Sequence, residues 1–66
     1  MEIKEGKVYI FRGNRHANRH DFTKFKIIEI TKDSYFINNM DADTKFRRGI
    51  EDFHFDYIAV EEIITK

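Results

Sequence analysis

Nine consecutive residues hold most of what could do chemistry in this chain: Arg12-Gly13-Asn14-Arg15-His16-Ala17-Asn18-Arg19-His20. Three arginines and two of the three histidines stand here, with no acid before Asp21. Guanidinium forks suit phosphate and carboxylate oxygens, and histidine adds charge as pH falls through about 6.5. Lys24 and Lys26 follow two residues apart, so on a strand they share one face and extend the basic surface. The pattern predicts a contact loop for an acidic protein surface or for a nucleic-acid backbone. Its contact residues are Arg12, Arg15, His16, Arg19, His20, Lys24 and Lys26. The competing reading is a solvated loop whose arginines pair with Asp21, Asp41 or Asp43.

Other chemistry has less to work with. His16 and His20 are four apart, which on a helix gives metal-ligand reach, and His54 with Asp56 could complete a site. The arginines around them would repel a dication, so no metal is expected. No cysteine is present, which excludes thiolate chemistry and cysteine-based zinc sites. The one serine, Ser34, falls in a turn, and there is no glycine-rich phosphate loop or carboxylate-pair motif. Asp41-Ala42-Asp43 resembles a fragment of a cation loop without the remaining ligands. Neither enzymatic activity nor a cofactor is expected.

Short strands must position these groups. The 66 residues allow one domain, 1–66, with no repeat, linker or low-complexity tract. Lys7–Phe11 alternates aliphatic and aromatic residues, the strand period. Arg12–Asp21 reads as a long polar loop. Phe22–Thr31 is the strongest strand, rich in aromatic and β-branched residues, and its alternation slips at Ile27-Ile28, where a bulge or bend belongs. Lys32-Asp33 reads as a tight turn, Ser34–Asn38 as a strand, Asn39–Asp43 as an Asn/Asp turn and Thr44–Arg48 as the returning arm. Gly49 opens a single helical turn, Ile50–Phe53, with acids at its start. Tyr57–Ile63 reads as a last strand, against a helical reading favoured by Ala59, Glu61 and Glu62. The expected architecture is mainly β: a five-stranded, partly open small barrel of the Src-homology type, with one helical turn before the last strand. Closing such a barrel would protect its strand edges.

The run Lys26-Ile27-Ile28-Glu29-Ile30-Thr31-Lys32-Asp33-Ser34-Tyr35-Phe36, then Asn38, Asp43-Thr44 and Phe46, resembles small barrel proteins of bacteriophages and prophages. The opening is similar too, with Gly6 ahead of a strand containing Tyr9. The resemblance covers most of the chain but is structural, and it transfers no catalytic or ligand-binding residue. It implies a partner that is a bacterial host or phage protein, bound and sometimes inhibited.

Seven phenylalanines and three tyrosines supply the large rings with which a small domain fills its core. Val8, Ile10, Ile28, Ile30, Ile58 and Val60, with Phe46 and Phe53, suffice for that core. Tyr9, Phe11, Phe25 and Phe36 then fall on alternate faces; exposed rings such as Phe11 would join the contact surface, against the stronger reading for any one ring, that the second sheet buries it. Twelve basic residues balance twelve acidic ones, so no global field draws in nucleic acid or membrane. The balance is uneven, with eight basic against five acidic residues in 1–33 and four against seven in 34–66. Glu61-Glu62 could answer the basic loop of a second copy, which leaves a homo-oligomer open. With no apolar run of membrane length and no signal-like start, a cytoplasmic protein is expected.

Overall fold

A computed structural model describes residues 2–17 and 22–64. The strands are β1 (Val8–Gly13), β2 (Phe22–Ile30), β3 (Ser34–Asn39), β4 (Thr44–Gly49) and β5 (Tyr57–Ile63). A helix, α1 (Ile50–Asp56), joins β4 to β5, and a short 3₁₀ turn, Arg15–Ala17, follows β1. Every strand pair is antiparallel, in the order β4-β3-β2-β1-β5. The sheet is open, with β4 and β5 as its edges. The expected closure is therefore not made by a strand ladder. The chain leaves β4 straight into a helix, and α1 packs against β3, β4 and β5 instead.

The slip at Ile27-Ile28 is a register shift in the β2–β3 pairing between Ile27 and Glu29. It coincides with a change of partner on the other edge of β2. The β1 ladder ends at the Val8–Lys26 pair, and beyond it the N-terminal segment takes over. Gly6 N–H donates to Ile27 O (2.6 Å) and Ile27 N–H to Lys7 O (2.9 Å). Past the bulge, Ile30 N–H donates to the Glu5 carboxylate (2.9 Å). A side chain thus satisfies a backbone donor that no strand reaches. Gly6 sits at φ +81°, a left-handed conformation that L residues adopt at a cost.

The turns follow their chemistry. Asn39 Oδ1 accepts from Asp41 N–H (3.0 Å) and Ala42 N–H (3.1 Å), and Asp43 takes the positive φ of 52°. Thr31 and Ser34 close the β2–β3 turn through Thr31 N–H to Ser34 O (2.9 Å). The helix is longer than the single turn expected, because Asp56 adds a second buried position three residues after Phe53. A buried carboxylate reads as a surface residue until its partner is known: Arg48 holds it at 2.7 Å.

The core reverses the expected division of faces. Tyr9, Phe11, Phe25, Ile27, Tyr35, Ile37 and Phe53 form it. Phe53 is central, its ring centroid 5.0 Å from Phe11, 5.5 Å from Phe25, 5.5 Å from Tyr35 and 5.3 Å from Tyr57. Most of these rings meet edge to face, the arrangement the ring quadrupole favours. Phe53 is in the core as its sequence position implies, and Ile30 and Phe46 pack against the cluster half-buried. Val8 and Ile10 lie on the opposite face, half-buried, while Ile58 and Val60 are exposed. Ile28 is half-buried at the bulge. The reason is volume: one face of five short strands encloses enough only if its bulkiest side chains point inward.

Candidate functional site

Register decides which basic residues meet. The β1–β2 ladder pairs Arg12 with Phe22, Ile10 with Lys24 and Val8 with Lys26. The rings of Tyr9, Phe11 and Phe25 point into the core, so these three pairs belong to the outward face. Arg12, Lys24 and Lys26 therefore stand on one surface, all exposed. On the far side of β1, Ile58 pairs with Arg12, Glu61 with Ile10 and Ile63 with Val8. The β1–β5 register shifts between Ile10 and Phe11, which leaves Val60 as the extra residue of a bulge. Phe22 is 63% exposed, Ile58 48% and Val60 43%.

Phe11 is not part of this surface. It is fully buried, packed on Phe25 and Phe53, and the ring that stands beside Arg12 is Phe22. Tyr9 and Phe25 are buried as well, as the reading of rings covered by the second sheet expects, and Phe36 is half-buried. Phe22, Ile58 and Val60 had no place in the expected surface. The signal for Phe22 and Ile58 is parity: once Tyr9 and Phe11 point inward, everything paired with Val8, Ile10 and Arg12 must point out, whereas Val60, the unpaired bulge residue, gives no such signal.

The segment after β1 is held rather than loose. Asn14 N–H donates to Asp56 O (2.7 Å), its Nδ2 to Phe55 O (2.6 Å), and its Oδ1 accepts from His16 N–H (3.0 Å). These bonds fix the 3₁₀ turn against the end of α1. Exposed Arg15 and His16 lie on that turn, and Arg15 lines a groove of about 360 Å³ with Arg12, Asn14, Phe22 and Ile58. The groove is open and combines two guanidinium groups with two apolar side chains. Arg19 and His20 lie outside the described residues. Next to Lys24, the β3–β4 turn closes in: Lys24 N–H donates to Asp41 Oδ2 (3.0 Å) and Met40 N–H to Lys24 O (2.8 Å). Asp41 is thus bound to the backbone of β2.

A second polar cluster lies under α1. The Tyr35 hydroxyl is 2.8 Å from His54 Nε2, and Arg48 pairs with Asp56. Burial pushes the Tyr35 hydroxyl pKa up, with Tyr9 adding to it, and burial lowers the His54 pKa below 6.5. His54 and Asp56 are therefore each engaged with a partner other than His16. Among the described residues no three His, Cys, Asp or Glu side chains gather where they could hold a metal ion. No helix among them is long and apolar enough to cross a membrane.

The outward face can do two things chemically. Its cations attract carboxylate or phosphate, and its apolar side chains lose unfavourable hydration when covered. No protein-family model, curated protein or solved structure matches the chain.

Proposed function

We propose that this chain is a non-enzymatic protein-binding module, encoded by a phage or prophage and acting in the bacterial cytoplasm, that occupies and blocks a surface of a host protein. The strand order, the register shift in β2, the long first connection and the helix ahead of β5 support a Src-homology-type small barrel as its scaffold. One observation carries the binding reading. Arg12, Lys24 and Lys26 share an outward face with Phe22, Ile10 and Ile58, and Arg15 lines the groove at its end. A partner that fits is an acidic protein surface with apolar side chains between its carboxylates. Charge complementarity steers the encounter, and desolvated apolar contacts supply affinity.

The same cations would serve a nucleic-acid backbone, the alternative reading. Base stacking needs a run of exposed rings, and the face offers one, Phe22, with Phe55 exposed on α1 and Tyr9, Phe11 and Phe25 buried. Net charge zero also removes the general attraction such domains use. The observations favour protein. The test is capture from bacterial lysate with and without nuclease, using the wild type and an Arg12→Ala/Arg15→Ala variant whose circular-dichroism melt is unchanged. The expected result is one stoichiometric protein that survives nuclease and is lost with the variant. Capture that disappears with nuclease would overturn the reading in favour of nucleic acid. Capture unaffected by the variant would remove this face as the site.

A further inference from the structure

Three rows cross the outward face of β2, β1 and β5: Phe22–Arg12–Ile58, Lys24–Ile10–Glu61 and Lys26–Val8–Ile63. The β2 side of the face carries Lys24 and Lys26, with the Asp41 carboxylate held on the Lys24 backbone N–H (3.0 Å); the middle is apolar in two of three rows, and the β5 side carries Glu61. We propose that this face docks on the same face of a second copy, about a two-fold axis running along β1. Rotation about that axis keeps each row at its height and exchanges the β2 side with the β5 side. Lys24 of each copy then lies over Glu61 of the other, and Phe22 over Ile58. Ile10 and Val8 meet their own counterparts at the centre.

The charges select this axis. The other in-plane two-fold, running across the strands, would set Lys24 on Lys24 and Glu61 on Glu61, and like charges placed opposite one another suppress an arrangement. Sheets stack face to face about 10 Å apart with strand directions within about 30°, which an axis along β1 allows. The contact is isologous, so both Lys24–Glu61 pairs form at once. One like-charged meeting remains, Arg12 with its counterpart, in the end row nearest the Arg15–Ala17 turn.

Arg12 therefore acts with opposite sign in the two associations: it would draw in an acidic partner and oppose a second copy. Arg15 and His16 lie past the end of β1, outside the stacked rows. Sedimentation or light scattering over a concentration series tests the proposal, with circular dichroism to establish that each variant folds. The expected result is a dimer whose Kd rises about tenfold in Lys24→Glu and in Glu61→Lys. It returns near the wild-type value when both changes are made in one chain, and it falls in Arg12→Ala. A wild type that stays monomeric at millimolar concentration would overturn the proposal. So would a double variant that associates as weakly as either single one. A monomeric wild type that still loses host-protein capture on Arg12→Ala overturns self-association alone and leaves the binding-module reading standing.

Discussion

The two faces of β1 divide the work of this molecule within six residues. Tyr9 and Phe11 point into the core and are fully buried, whereas Val8, Ile10 and Arg12 point outward beside Lys26, Lys24 and Phe22. Both faces are apolar enough to serve as a core, so hydrophobicity does not separate them. Volume does. A 66-residue chain buries only about 60% of its unfolded surface, and aromatic rings enclose the most volume for each inward position. The aliphatic residues left outside are then free to be a contact surface.

The sharpest way to break that comparison is to truncate one side chain from each face. Phe53→Ala or Phe11→Ala is expected to cost about 3–5 kcal/mol in urea unfolding, enough to unfold much of so small a domain. Ile58→Ala, an equally apolar residue on the outward face, is expected to stay within about 0.5 kcal/mol. Equal costs on the two faces would erase the distinction. Asp56→Ala comes next. It removes a buried carboxylate from half-exposed Arg48, and a loss of about 2 kcal/mol is expected. Asp56→Asn, which keeps the shape and loses the charge, should cost less.

Gly6→Ala probes the place where the N-terminal segment pairs with β2 at its register shift. A Cβ there meets nothing within 4 Å, so the cost comes from the backbone at φ +81° alone, about 1 kcal/mol. The smallest effect is the pH dependence of His54. Its pKa is lowered by burial, so on acidification the unfolded chain takes up the proton first. Stability from this group is whole above about pH 6.5 and is lost as pH falls from there through the lowered value. Denaturation midpoints measured in steps from pH 7.5 to pH 5 should decline in the wild type and flatten over the upper part of that range in His54→Gln.

Much of this architecture is legible in the sequence because local chemistry fixes it. The turns at Lys32-Asp33 and Asn39–Asp43, the slip at Ile27-Ile28 and the last strand, Tyr57–Ile63, are all where residue type and alternation place them. Which face points inward is not local. In β1 both parities are apolar, and only the ring volume of Tyr9 and Phe11, matched across the ladder by Phe25, resolves them. The second turn of α1 is not legible for a related reason, since Asp56 is buried through an ion pair with Arg48 on another element. Of the proposed contact residues, Lys24 and Lys26 share a face by their spacing alone. Joining Arg12 to them required the register, and the same register put Phe22 where Phe11 had been expected.

The central claim is that the outward face of β1 and β2 is the contact surface. Amine-acylation footprinting of the captured complex tests it most directly, at a concentration where the free chain is monomeric. The account predicts that Lys24 and Lys26 become protected while Lys4 and Lys32, exposed elsewhere, react as in the free chain. Lys24 and Lys26 labelled at their free rates in a complex that has formed would contradict it.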